Sequence, residues 1–237
     1  MKKIHIIGKD SVKVEEMKEC LESEGYSYVE TNPDLVVSYG GDGMFLISER
    51  IFPGVPKILI RDSDIGNQCF GGNILEVLKM YSRGKCEVQE IKKLKGIHNG
   101  RFEFRELIGV NDIVLRNSLP TEAIRFRYRI NEGAWSEILV GDGLVISTPY
   151  GSSKGAYFYS IVQKSFSSGI GIAFNNISEF REPLFLSSEE SIEIEITRGI
   201  GVLVSDNNRD FINLEKGDKI VVKQIGDIAR RIIVKND

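Results

Sequence analysis

Two glycine–aspartate runs carry the residue types best suited to chemistry. In 35–46 the apolar Leu35-Val36-Val37-Ser38-Tyr39 runs into Gly40-Gly41-Asp42-Gly43, then into Met44-Phe45-Leu46, the start of a short helix. Glycines let the backbone turn sharply at the carboxyl end of a strand, which is where open α/β sheets bind ligands. The exposed N–H groups of such a turn, added to the N-terminus of the next helix, favour an anion such as phosphate. A carboxylate placed there repels phosphate unless it binds a metal that accompanies the phosphates or takes the proton of an attacking hydroxyl. Asp-Gly is also ordinary turn chemistry, as expected at Gly217-Asp218. At 40–43 the strand–turn–helix context favours a site.

The second run, Gly141-Asp142-Gly143, leads through Leu144-Val145-Ile146 into Ser147-Thr148-Pro149-Tyr150-Gly151-Ser152-Ser153. The glycine pair would expose Asp142, and the Thr/Ser/Gly cluster offers hydroxyl and amide donors to a polar ligand. Between the two runs, Asn111 and Asp112 interrupt the apolar strand pattern of 110–115. An amide beside a carboxylate matches donor–acceptor edges such as a purine or the hydroxyls of a ribose. Taken alone, either segment is equally consistent with a loop or a strand-end cap. His5 and His98 are the only two histidines and lie far apart, so a multi-histidine metal site is excluded and structural roles are expected for both. Cys20, Cys69 and Cys86 show no Cys-x-x-Cys spacing, so neither a disulfide framework nor a cysteine zinc site is signalled.

The elements that must position these groups change character near residue 90. Before it, short apolar runs at 4–7, 35–37 and 58–60 alternate with helical patterns. One of these has Val14, Met17, Cys20 and Leu21 on one face and closes at Gly25. The other is capped by Asn73, has Glu76 three residues on, and ends at Gly84. That rhythm predicts a parallel, Rossmann-like sheet flanked by helices. After residue 90, Ile124, Phe126, Tyr128 and Ile130 alternate with Arg125, Arg127 and Arg129, and Ile192, Ile194 and Ile196 alternate with Glu193 and Glu195. Further strand patterns at 110–115, 144–147, 201–204 and 220–222, with an Asn99-Gly100 hairpin signal after His98, predict an antiparallel sandwich or barrel. One helix is expected within 154–163. The fold expected is therefore an α/β domain over 1–90, with 224–237 a candidate to complete it, and an all-β domain over 91–223.

The chain has 237 residues and a net charge of −3, from 31 Lys+Arg against 34 Asp+Glu. This balance argues against bulk electrostatic binding of nucleic acid or an anionic membrane. The arginine row at 125–129 and Lys92-Lys93-Leu94-Lys95 read as solvated strand faces. No apolar run approaches the roughly 18 residues of a membrane span, and residues 1–10 lack the apolar region of a secretory signal. A cytoplasmic address is expected.

Gly40-Gly41-Asp42-Gly43, then Asn111-Asp112, then Gly141-Asp142-Gly143 with Thr148-Pro149-Tyr150-Gly151-Ser152-Ser153, taken in that order, resemble the NAD kinase family. Ser205-Asp206-Asn207 and the later Leu214-Glu215-Lys216-Gly217-Asp218 are similar to its late Asp-Gly segment and closing strand. The first motif is shared with diacylglycerol-type lipid kinases and phosphofructokinases, and the later islands narrow the choice. The resemblance implies an α/β domain, an all-β domain and a site between them. It also implies phosphoryl transfer from ATP or polyphosphate, with a divalent cation such as Mg²⁺, to the 2′-hydroxyl of the adenosine ribose of NAD, in a homodimer or homotetramer. By motif, Asp42 would orient and deprotonate that hydroxyl while the backbone of Gly40, Gly41 and Gly43 faces phosphate. Gly43 would also border the substrate. Asn111 and Asp112 would hold the adenosine part, Asp142 would contact the nicotinamide end, and Ser153 would belong to the polar loop around the dinucleotide.

Several positions depart from the family pattern. Asp112 stands where Glu is usual, and either Lys154-Gly155 replace the Ala-Tyr that follows the Thr-Pro-x-Gly-Ser run or two residues are inserted and Ala156-Tyr157 are the counterparts. The Gly-Gly pair that normally follows is missing, and Asn207 replaces Gly after Asp206. Leu59-Ile60-Arg61-Asp62-Ser63-Asp64-Ile65-Gly66 keeps only the final Ile-Gly of its counterpart. These changes fall on the dinucleotide pocket more than on Asp42. They leave room for a kinase with another acceptor, for which Tyr157-Phe158-Tyr159 is a candidate lipid pocket, or for a non-catalytic nucleotide-binding relative. Lys154, if it faces the cleft, would neutralise donor phosphates.

Overall fold

The structure is a computed structural model that describes residues 2–61, 69–70, 73–100 and 104–235. It divides into two compact units, one of Met1–Ile91 with Asp227–Asp237 and one of Lys92–Gly226.

Unit 1 is α/β. In chain order it contains β1 (Lys3–Gly8), α1 (Ser11–Ser23), β2 (Ser27–Tyr28), β3 (Leu35–Tyr39), α2 (Asp42–Ile51), β4 (Lys57–Ile60), α3 (Ile74–Ser82) and the start of β5 (Cys86–Asn99). Strands β2-β1-β3-β4 are all parallel, and Arg231, near the end of the chain's last strand, pairs in parallel with Lys57. Strands β3 and β4 are buried along their whole length, as expected where helices cover both faces of a sheet. The helix start expected at Asn73 holds, and the structure adds a cap at Asp10 that the sequence reading did not name. Asp10 accepts from the Val12 and Lys13 amides, and the Asn73 side chain accepts from the Leu75 amide at 2.9 Å. His5 is structural: its Nδ1 lies 2.8 Å from the Val29 carbonyl oxygen and its ring packs on Tyr28 and Phe52.

Unit 2 contains the rest of β5, then β6 (Phe104–Gly109), β7 (Asp112–Asn117), β8 (Ile124–Ile130), β9 (Leu139–Gly141), β10 (Gly143–Ser147), α3's successor α4 (Tyr157–Val162), β11 (Ile170–Asn175), β12 (Leu184–Leu186), β13 (Ser191–Arg198), β14 (Gly201–Ser205), β15 (Ile212–Leu214) and the first part of β16 (Lys219–Val234). One antiparallel sheet runs β12-β11-β10-β7-β14-β15, and in the other β16, β13, β8 and β9 pair in turn. The inward residues of both, among them Ile113, Leu115, Leu144, Ile146, Phe126, Ile192, Ile194 and Val222, form one apolar core. This is the expected sandwich.

Details differ from the sequence reading where side chains found partners that periodicity does not show. Val110 and Asn111 form the short link between β6 and β7 instead of lying inside a strand. Asn99 pairs with Phe104 as the last residue of β5, so it is not part of a two-residue turn, and Arg101 lies outside the described residues. Lys93 is 5% exposed, so the Lys92–Lys95 run is not uniformly solvated. The arginine row is paired: Arg127 Nε donates to Glu195 at 2.8 Å and Arg129 Nε to Glu193 at 2.7 Å, with both guanidiniums over Trp135. Phe158 is fully buried against Val114, Val145 and Ala173, with Tyr157 packed beside it, so these two aromatics serve the core.

Candidate active site

Asp42 is the first residue of α2. β3 ends at Tyr39, and Gly40 then adopts φ +144°, which only glycine accepts without strain, while its N–H donates to the Ile60 carbonyl at 2.8 Å. Gly41 caps the helix with extended backbone, and Met44 N–H returns to the Gly41 carbonyl at 2.8 Å. The half-buried Asp42 carboxylate therefore sits on the first turn of α2, where the helix dipole favours negative charge, and Gly43 beside it is exposed. The Cys69 thiol approaches Asp42 Oδ1 at 3.4 Å and the Gly40 carbonyl at 3.6 Å. Cys69 is held there because Phe70 docks on β4: its N–H donates to Leu59 at 2.7 Å and its carbonyl accepts from Arg61 at 3.1 Å. No spacing in the sequence links Cys69 to Asp42. Residues 62–66 of the altered 59–66 segment lie outside the described residues.

The far end of α2 is fixed by a buried ion pair, also missed in the sequence. Glu49 and Lys57 are 2% and 0% exposed and meet directly; Lys57 Nζ also donates to the Phe52 carbonyl at 2.6 Å, and Glu49 accepts from the Gly54 N–H at 2.8 Å. Ser48 donates to Ser38 on β3 at 3.1 Å. Seated in this way, α2 presents one carboxylate on its first turn beside the glycine bend, a geometry that can take a proton from a hydroxyl beside a phosphate. Among the described residues no three His, Cys, Asp or Glu side chains cluster as a metal cage. The Asp42 carboxylate is an oxygen donor of the kind that magnesium takes.

In unit 2 the structure brings Asn111, Asp112 and the 147–153 segment together. Asp112, the first residue of β7, pairs in register with Ser147, the last of β10. The Asn111 carbonyl accepts from Ser147 Oγ at 3.2 Å and the Thr148 N–H at 2.9 Å, while Thr148 Oγ1 donates to the Val110 carbonyl at 2.7 Å. Gly151 packs so closely that a Cβ would lie 2.1 Å from the Asn111 carbonyl oxygen, which explains glycine there. The hydroxyls expected to serve a ligand are thus spent: Ser147, Thr148 and Ser152 are fully buried, and Ser152 donates to the Pro149 carbonyl at 2.7 Å. Ser153 remains half-buried and Lys154 is exposed. The Asn111 side-chain oxygen is shielded and has no hydrogen-bond partner among the described residues. Asp112 is 7% exposed, and burial first, then the neighbouring Asp206 charge, push its carboxyl up to about 7.

Asp142 lies at the other end of β10. Gly143 beside it pairs with Arg116, four residues along β7 from Asp112, so about 17 Å of strand separates Asp142 from Ser147. Its carboxylate accepts from Asn176 Nδ2 at 3.1 Å and Asn117 Nδ2 at 3.4 Å. Both flanking glycines are required, because a Cβ on Gly141 would meet the Asn176 carbonyl at 2.6 Å and one on Gly143 the Leu115 carbonyl at 2.1 Å.

A curated relative, the NAD kinase of Aquifex aeolicus, is 27% identical over 207 residues, spanning 83% of this chain and 74% of its own length. The chain resembles the NAD kinases. Among solved structures, a yeast NADH kinase complexed with NADH superposes with a TM-score of 0.85 at 16% identity, covering all of this chain and 84% of the other. An Archaeoglobus fulgidus NAD kinase in complex with ATP gives 0.78 at 19% identity, covering 100% and 94%. No family model matches the chain. The likeness to NAD kinases extends to the fold of both units, one α/β and one a β-sandwich.

Proposed function

We propose that the protein transfers a phosphoryl group from ATP or polyphosphate to the 2′-hydroxyl of the adenosine ribose of NAD, forming NADP. The observation that carries this reading is Asp42 at the N-terminus of α2, on the glycine turn that closes β3. Asp42 orients the ribose hydroxyl and accepts its proton as the 2′-oxygen bonds to the terminal phosphorus and the bond to the leaving phosphate oxygen breaks. The backbone of the Gly40–Gly43 turn faces the phosphates, although the N–H of Gly40 itself is taken by the Ile60 carbonyl and Gly40 contributes the bend instead. Bound Mg²⁺ supplies charge neutralisation on the donor phosphates. Asn111 and Asp112 hold the adenosine part, supported by the shielded, unpartnered Asn111 oxygen. Asp142 serves the nicotinamide end and Ser153 the polar loop around the dinucleotide. Unit 1 is the donor side, unit 2 the dinucleotide side, and the assembly is a homodimer or homotetramer in the cytoplasm. No helix among the described residues is long and apolar enough to cross a membrane.

The test is direct. Protein, NAD, Mg²⁺ and either ATP or polyphosphate are incubated, and NADP is read with a dehydrogenase that accepts only NADP. Wild-type protein is expected to form NADP with at least one donor, and Asp42→Ala to lose about 100-fold or more in kcat, the scale of a lost general base. Equal, background-level signals from both proteins would defeat the assignment.

A further inference from the structure

The link between β6 and β7 has no regular ladder of its own to hold it, and its three amides converge on one side chain. Asp206 Oδ2 accepts the Val110 N–H at 2.9 Å, and Oδ1 accepts those of Asn111 at 2.7 Å and Asp112 at 3.2 Å. Asp206 N–H donates in return to the Asp112 carbonyl at 3.1 Å. Asp206 reaches this position from just past the end of β14 with φ +49°, a left-handed conformation that aspartate tolerates better than most residues. Successive amides pointing to one spot form a concavity that binds anions, and here a carboxylate of the chain itself fills it.

Other contacts fix the same link from its carbonyl side. Thr148 takes up the carbonyls of Val110 and Asn111, Gly151 is packed against Asn111, and a Cβ on Gly109 would meet the Asp112 carbonyl oxygen at 2.5 Å. The link is therefore held on both sides while the Asn111 side-chain oxygen is left without a partner among the described residues. A backbone fastened so heavily around an unsatisfied amide is arranged for something that arrives later. Nothing in such a clamp requires Asp206 itself to touch the ligand.

We propose that Asp206 is a positioning residue. Its carboxylate locks the 110–112 link in the conformation that lets Asn111 and Asp112 receive the dinucleotide, and so sets NAD affinity through the backbone. This rests on the NAD-phosphorylating reading above. Removing the Asp206 charge also relieves Asp112 of a neighbouring carboxylate, so the pH dependence of NAD affinity moves with it.

Two variants separate the carboxylate from the backbone shape. Asp206→Asn keeps an acceptor and tolerance of positive φ, and Asp206→Gly keeps the conformation with no acceptor. In both, KM for NAD is expected to rise about tenfold or more, on the scale of one or two lost charge-assisted hydrogen bonds, while KM for ATP stays within twofold and kcat within threefold. Hydrogen exchange at the amides of 110–112 accelerates, and the acid-side midpoint of the NAD-affinity profile falls in Asp206→Asn. A purely structural role would lower the yield of active protein and leave both KM values of the active fraction unchanged. Unchanged KM for NAD in both variants, or an equal rise for NAD and ATP, overturns the proposal. Should wild-type protein make no NADP, the functional reading falls first, and exchange alone decides the clamp: persistent protection of the 110–112 amides in Asp206→Gly overturns it.

Discussion

Asp112 shows most plainly what the site costs the fold. It is 7% exposed beside a second carboxylate, and its carboxyl is pushed from 3.8 up to about 7. The folded state therefore holds a proton that the unfolded chain has released, and stability falls as pH rises from about 4 to about 7. Three pH units correspond to an upper bound of roughly 4 kcal/mol, reduced by whatever solvent or ligand compensates the charge. Asp112→Asn carries no such charge, so its melting temperature is expected to exceed that of wild type at pH 8 and to converge with it near pH 4.5. A gap that widens toward acid would contradict the burial argument. At this scale the sequence was readable where backbone chemistry narrows the options: the glycines around Asp42 announce a turn that presents a carboxylate. It was silent where distant residues meet, because no spacing rule brings Cys69 to Asp42 or Asp206 to the amides of 110–112.

Among the elements, α2 carries the proposed chemistry at one end and the Glu49–Lys57 pair at the other. The pair lies away from water and is satisfied further by the Phe52 carbonyl and the Gly54 amide, so removing one partner leaves an unpaired buried charge. Lys57→Met is expected to lose about 3–5 kcal/mol in urea unfolding, and Lys57→Met with Glu49→Leu to recover most of it, since a well-packed apolar pair can replace a buried ion pair. A double variant as unstable as the single one would assign the loss to packing instead. The strands of both units were legible because alternation and continuous apolar runs report directly on how many faces are buried. The 110–111 link was not: Val110 extends the apolar run of β7, and only tertiary contacts with Asp206 and Thr148 turn it into a bend. For the same reason the hydroxyls of Ser147, Thr148 and Ser152 looked available and are in fact consumed by the backbone.

For the whole molecule, the decisive feature is that unit 1 is assembled from both ends of the chain. The last part of β16 supplies Ile232, 1% exposed within the core of unit 1, and Arg231 pairs with Lys57. Arg230 Nη1 donates to the Gly54 carbonyl at 2.9 Å and the Lys235 N–H to the Lys85 carbonyl at 3.0 Å. The earlier part of β16, which pairs with β13, belongs to unit 2. Ending the chain after Gly226 therefore removes a strand from the parallel sheet that seats Asp42 and leaves the pairing of β16 with β13 in place. The single tryptophan, Trp135, lies in unit 2 among Arg127, Arg129 and Lys219, so its fluorescence reports on that unit. In the shortened chain the Trp135 transition in urea is expected to persist, while amide protection in β1 and β3 collapses and with it any Asp42-dependent turnover. Loss of the Trp135 transition together with the β1 and β3 protection would show instead that the two units unfold as one cooperative body, because removing residues 227–237, which belong to unit 1, can abolish the transition of unit 2 only through coupling between them.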